Sequence, residues 1–354
     1  MARRQRTLKL GIIGCGRVAE ERHFPALRHL PDVEVVAVSD TDENRMKRLA
    51  DPMGVEHRWG DYRALLEAAD VEAVGILTPT ATHAEIGLAA FEAGKHVLIE
   101  KPLALDPEAC DRLIEAGARS SRTVTVGFNL RWHRLVQRAR TFIRTGALGR
   151  IEAIRSVFTH HRRGEDAQEW HRKPELGGGV SFNEAVHHFD LWRYLLESDV
   201  EEVFSFSRPS AGYEDGTNVT TASLANGALA TGVFSLTTSA DNEIEIYGEA
   251  GRLCLSFYKF DGFEFFSHST YPGDVKDRLK KAAAALGELP QAIPAMRRGG
   301  DFGTTFYGLW RHFVDCIYQD ERSECTLEDG KQAVRIALAA RESVSSGQAV
   351  QIAA

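Results

Sequence analysis

The run Leu8-Lys9-Leu10-Gly11-Ile12-Ile13-Gly14-Cys15-Gly16-Arg17-Val18-Ala19 decides the fold of this chain. A short β-type segment stops at a pair of glycines and gives way to a helical pattern over 18–30. In a strand–turn–helix unit of this kind, Gly14 permits a tight turn and Gly16 lets the backbone approach a pyrophosphate. Ala19 allows the helix to pack closely on the strand. The helix start adds unpaired N–H groups and a positive dipole end for phosphates. The next strand ends at Val38-Ser39-Asp40, which puts Asp40 24 residues past Gly16, where a ribose-binding carboxylate belongs. Such a carboxylate accepts from ribose hydroxyls and repels a 2′-phosphate, so NAD is expected over NADP. Arg45 and Arg48 come only later, on the following helix.

Outward from this unit, apolar strand candidates recur at 33–38, 73–77, 96–99 and 123–126, with helices expected over 43–50, 82–93 and 107–118. Alternation of this kind predicts a doubly wound α/β domain with a parallel sheet, a Rossmann arrangement, over residues 1–127. Pro107 after Asp106 has the N-cap-then-proline form of a helix start. From residue 128 the texture changes. After a helix containing Trp132, Leu135, Val136, Ala139, Phe142 and Ile143 come β segments at 151–159, 203–207, 218–224, 228–236, 243–247 and 253–257. Asn226-Gly227 between two of them is a hairpin signal, and turn connections predict a largely antiparallel sheet. Residues 128–354 therefore read as an α+β domain. Late helices carry Phe306, Leu309, Trp310, Phe313 and Ile317, and a second starts at the capping pattern of Thr326 and Asp329. The alanine- and lysine-rich stretch over 274–300 reads as a surface helix, with a mobile lid as the alternative.

The 354 residues suit two domains, and a net charge of −7 argues against nucleic acid or an anionic membrane as partner. Five scattered cysteines without CxxC spacing read as reduced thiols, which points to the cytoplasm. The basic start over 1–6 lacks a following h-region, so it reads as a solvated tail, and no apolar run is long enough for a membrane span.

Three further blocks carry chemistry. Thr78-Pro79-Thr80-Ala81-Thr82-His83 follows the 73–77 strand, and Glu100-Lys101-Pro102 follows the 96–99 strand. Both fall at carboxyl ends of strands, where open α/β sheets bind ligands. Pro102 supports a fixed turn, with a cis bond open to it. The candidate cofactor contacts are thus Gly14, Gly16, Arg17, Val18, Asp40, Thr78, Pro79, Thr80, His83, Glu100 and Lys101. The third block runs from Gly177-Gly178-Gly179 to Asp190. Its Asn183, His187 and Asp190 are spaced to share one helix face. His187 alone reads more readily as a satisfied core histidine, but polar groups in a row beside Phe182, Val186 and Phe189 are costly to bury without partners.

With these motifs in this order, the chain resembles the Gfo/Idh/MocA family from about Leu8 to the C-terminus. The resemblance implies an N-terminal Rossmann domain and a C-terminal α/β domain whose sheet often forms an oligomer interface, so a homo-oligomer, dimer or tetramer, is expected. It implies hydride transfer between a nicotinamide cofactor and a hydroxyl carbon of a sugar, polyol or sugar acid. It assigns Lys101 a place near the nicotinamide, His187 the proton, and Arg131 a substrate contact. Many members carry aspartate where this chain has Asn183, which can orient a hydroxyl but cannot polarise His187.

From Arg131 to Lys173, ten arginines and one lysine face four acids, in an otherwise acidic protein. A solvated helix face accounts for Arg134, Arg138, Arg140 and Arg144. Arg131, Arg163, Arg172, His160 and Trp170 remain as substrate-side candidates with Asn183 and His187, suited to a hydroxylated or anionic ligand. The histidines lack metal-ligand spacing, so no metal is expected. Alternative readings are a glycosidase that oxidises its sugar transiently through bound NAD, an oxidoreductase that recycles its cofactor between two sugars, and a non-catalytic dinucleotide sensor.

Overall fold

A computed structural model describes residues 6–68, 70–162, 168–269 and 300–352, with scattered positions between 275 and 293. The 274–300 segment therefore lies largely outside the described residues. The chain divides into two compact units: residues 1–129 with 306–334, and residues 130–305 with 335–354.

The first unit contains six strands, β1 (Leu8–Ile13), β2 (Val33–Ser39), β3 (His57–Trp59), β4 (Ala73–Ile76), β5 (His96–Ile99) and β6 (Val124–Val126). They form one sheet in the order β3-β2-β1-β4-β5-β6, and every pairing is parallel. β1, β4 and β5 are almost wholly buried, as strands covered on both faces must be. The strand order reverses between β1 and β4, and this is the crevice where such sheets take ligands. β3 and the helix Tyr62–Glu67 were not among the sequence expectations. The sequence His57-Arg58-Trp59 is short, polar and at the sheet edge, so it carries no apolar run to read. Residues 306–334 fall with this unit because their apolar groups fill it. A Cβ at Gly75 would lie 2.8 Å from the Trp310 ring, and one at Gly117 would lie 2.9 Å from Leu327.

The second unit holds β7 (Ile151–His161), β8 (Val200–Ser210), β9 (Tyr213–Leu224), β10 (Leu229–Ser235), β11 (Thr237–Gly248), β12 (Gly251–Ser256), β13 (Phe263–Ser267) and β14 (Val350–Gln351). The sheet order is β13-β12-β11-β7-β10-β9-β8-β14. Pairing is antiparallel throughout except between β7 and β10, which run parallel. Asn226-Gly227 makes the β9–β10 turn, with Gly227 at φ +84°. One sheet face buries Ile154, Phe234 and Ile246 against Leu135 and Val136 of helix Arg134–Arg144 and Phe189 and Trp192 of helix Val186–Leu196. The other face leaves Phe206 of β8 68% and Leu229 of β10 60% exposed, with Val219 of β9 paired to both Phe206 and Val233. Among the described residues, no helix is long and apolar enough to cross a membrane.

Candidate active site

In the first unit the glycine turn has the geometry its spacing requires. Gly14 sits at φ +97°, and a Cβ there would lie 2.7 Å from the Leu77 carbonyl group. The ends of β1 and β4 thus approach as only glycine allows. A Cβ at Gly16 would meet nothing within 4 Å, so this backbone faces open space. A π-helical turn, Ala19–His23, follows, and then the helix Phe24–Leu27. Asp40, half-buried at the end of β2, closes the turn: its Oδ2 accepts from the Cys15 amide at 2.7 Å and its Oδ1 from the Asp42 amide at 2.8 Å. Burial, then the Asp40 charge, pushes the Cys15 thiol up to about 12, so it is no nucleophile. Arg45 pairs with Asp42 at 3.5 Å and Arg48 with Glu20 at 3.7 Å. Arg17 is exposed and pairs with Glu21, and Val18 is half-buried. An open glycine backbone with an acid fixed at its side fits the pyrophosphate and ribose of a dinucleotide.

Two loops rise from the neighbouring strand ends. Pro79 is exposed, Thr78 half-buried and Thr80 buried. The Thr82 hydroxyl lies 2.8 Å from both the Pro79 carbonyl, to which it can donate, and the Thr78 hydroxyl. His83 is buried between the loops, with Nδ1 2.8 Å from the Pro102 carbonyl and Nε2 2.8 Å from the Thr78 carbonyl. Burial lowers the pKa of this ring, while the two carbonyls and the Glu100 charge oppose that shift. The Lys101–Pro102 bond is cis. Glu100 is also buried, and its Oε2 accepts from the Lys101 amide at 3.0 Å. Its Oε1 lies 2.9 Å from Nε2 of His23, whose Nδ1 in turn accepts from Trp310 Nε1 at 3.0 Å. A Cβ at Gly127 would come within 3.0 Å of the same carboxylate, so glycine makes room for it. Burial alone would raise the Glu100 carboxyl, but the His23 bond and the Lys101 charge outweigh it and hold the group low. Glu100 and His83, expected among cofactor contacts, are thus turned inward to brace the loops that carry Thr78 and Lys101. Trp310 was expected on a late helix, but no local spacing could pair it with His23, 287 residues away.

In the second unit, a π-helical turn over Ser181–Ala185 runs into the helix Val186–Leu196. Such turns are uncommon and frequent at functional sites. The glycine triplet before it serves close approach. A Cβ at Gly178 would lie 2.1 Å from the Trp170 carbonyl oxygen, and one at Gly179 would lie 2.7 Å from Asp215. Asp215 accepts from the Ser181 amide at 2.8 Å and from the Ser207 hydroxyl at 2.5 Å, anchoring the turn to β8 and β9. Nothing in the sequence singled Asp215 out. Asn183 donates from Nδ2 to the Gly179 carbonyl at 3.0 Å. His187 is 8% exposed, with its ring centre 6.3 Å from that of Phe158. His160 lies 3.4 Å from Glu184.

Arg131 is placed otherwise than expected for a substrate contact. Its guanidinium makes a bidentate pair with Asp190, at 2.8 and 2.5 Å, and both side chains are buried. The Arg131 guanidinium also stacks 4.6 Å from the Tyr194 ring centre. Trp170 and Arg172 are half-buried, the Trp170 ring stacking on His171 at 3.6 Å. Arg163 lies outside the described residues. Among the described residues no three His, Cys, Asp or Glu side chains gather as a metal site would require.

Residues 8–128 match the oxidoreductase family with an NAD-binding Rossmann fold, and residues 136–254 match the Gfo/Idh/MocA C-terminal domain. An uncharacterized oxidoreductase of Rhizobium meliloti is 30% identical over 81% of this chain and 84% of its own length. The chain belongs to the Gfo/Idh/MocA oxidoreductases. The myo-inositol 2-dehydrogenase of Thermotoga maritima is 26% identical over 98% of each chain. The scyllo-inositol dehydrogenase of Lactobacillus casei, solved with NAD(H) and scyllo-inositol, shares the fold with a TM-score of 0.79. It is 22% identical, over 99% of this chain and 100% of that one.

Proposed function

We propose that this chain is an NAD-dependent dehydrogenase acting on a hydroxyl carbon of a polyol or sugar, with Lys101 and His187 serving the same hydroxyl. The observation that carries this reading is the braced Glu100-Lys101-Pro102 turn at the carboxyl end of β5, beside a glycine cradle closed by Asp40. When bound, NAD would supply the hydride acceptor, and Gly14 to Val18, Asp40 and Thr78 to Thr80 would hold it. A fixed carboxylate, with Arg45 and Arg48 already paired to acids, favours NAD over NADP.

His187 takes the hydroxyl proton, a role suited to an imidazole whose ordinary pKa is near neutrality. The Lys101 ammonium stabilises the negative charge developing on that oxygen. Asn183, its amide held by Gly179, orients the hydroxyl. With the Arg131 charge met by Asp190, neutral polyols such as inositols are preferred to sugar acids. The full-length likeness to an inositol dehydrogenase supports that class. Five free thiols suit a reducing cytoplasm.

The test is a panel of inositols, sugars and sugar acids followed by NADH absorbance. Inositols should give NADH, and His187→Ala should lose most turnover while cofactor binding persists. Hydrolysis of glycosides without net NADH would instead select the glycosidase, and dinucleotide binding without turnover the sensor.

A further inference from the structure

A buried chain of side chains behind the Lys101 turn has no part in the chemistry above. Trp310 Nε1 can only donate, so the His23 Nδ1 it meets at 3.0 Å must accept. The ring proton of His23 therefore lies on Nε2, aimed at Glu100 Oε1 2.9 Å away. The other oxygen of Glu100 holds the Lys101 amide. His23 is wholly buried, Trp310 fully so, and Glu100 is 6% exposed, so each bond is made away from water, where a lost partner is costly. The cradle is shaped for this set. Gly75 makes room for the Trp310 ring, Gly127 for the Glu100 carboxylate, and Phe306 packs edge-on against His23 at 5.0 Å.

We infer that His23 and Trp310 are positioning residues for Lys101: they fix the orientation of Glu100, which in turn fixes the Lys101 backbone and faces its charge. The inference rests on the proposed role of Lys101 and extends it to residues of the glycine-turn helix and the late helix. Trp310 sets the tautomer of His23, and His23 keeps one carboxylate oxygen occupied. Glu100 is thereby left a single rotamer in which its second oxygen meets the Lys101 amide. The charged and titratable groups around Glu100 are His23, Lys101 and, across the same turn, His83. A carboxylate held beside an ammonium favours the charged amine, the form that stabilises an oxyanion.

The test uses the full chain with His23→Leu, His23→Gln, Trp310→Phe, Glu100→Gln and, in parallel, Lys101→Met. His23→Leu should lower kcat on the order of 10²-fold, the usual penalty for a small misplacement, with cofactor affinity held. His23→Gln, whose amide can still donate to Glu100, should recover much of the loss. In the cofactor-free protein, the pH profile of Lys101 acylation by acetic anhydride, read by peptide mass spectrometry, should move to lower pH by about one unit in Glu100→Gln. It should move the same way in His23→Leu and Trp310→Phe. An unmoved acylation profile, or a loss of turnover that follows only the melting temperature, overturns the inference. Lys101→Met inactive with His23→Leu fully active also defeats it while sparing the proposed function. Lys101→Met fully active defeats the proposed role of Lys101 itself.

Discussion

Two glycines of one turn carry different constraints, and this separates folding from binding. Gly14 is at positive φ and pressed on the Leu77 backbone, whereas a Cβ at Gly16 would touch no protein atom. Gly14→Ala should therefore destabilise the chain. Gly16→Ala should leave the melting temperature within about a degree, as substitutions off packed features usually do. It should still weaken NAD binding, measured by titration calorimetry. Unchanged affinity in Gly16→Ala would deny that this backbone meets the pyrophosphate. Arg131 makes the opposite case. Because its charge is spent inside the fold on Asp190, Arg131→Met should cost ~3–5 kcal/mol in denaturant unfolding, the usual penalty for breaking a buried pair. A rise in KM at unchanged stability would return Arg131 to the substrate.

At the scale of elements, the sequence showed what apolar periodicity and glycine spacing can show. β1, β4 and β5 were legible because near-continuous burial on both faces leaves continuous apolar runs, and β2 because its valines and alanine continue past the exposed Glu34. β3 was not, because an exposed polar edge strand of three residues resembles a loop. The two π-helical turns, Ala19–His23 and Ser181–Ala185, have no sequence signature, so an i, i+4 count over Asn183 and His187 could not anticipate them. Nor could local spacing tell that Asp190 serves Arg131, 59 residues away. Buried histidines add a pH dependence at this scale. Burial pushes His133 down to about 4 and His188 to about 3, from an ordinary 6.5. A folded state that depresses a histidine pKa is most stabilised above 6.5 and loses that stability as pH falls toward the folded value. Each ring should therefore withdraw about 2 kcal/mol by about pH 5, and thermal melts between neutrality and that pH should show a falling midpoint. A midpoint flat over that window would show that neither ring stays neutral in the fold.

At the scale of the molecule, one face of the eight-stranded sheet presents Phe206, Val219, Leu229 and Val233 to solvent. A contiguous exposed apolar patch marks an interaction site, and a second copy of the chain is the partner we propose. Phe206→Asp with Leu229→Asp should reduce the mass measured by light scattering to that of one chain, 39.2 kDa, from a dimer or tetramer. A wild-type chain that already runs at 39.2 kDa would exclude the oligomer.

The mechanism we propose requires that one hydroxyl meet an amine from the Glu100-Lys101-Pro102 turn and an imidazole from the helix after the glycine triplet. The direct measurement is a crystal structure of the full chain with NAD and an inositol that it oxidises. Lys101 Nζ and a His187 ring nitrogen should both lie within about 3.2 Å of the oxygen on the carbon that faces the nicotinamide. If either group contacts a different hydroxyl, or none, the shared-hydroxyl mechanism is contradicted.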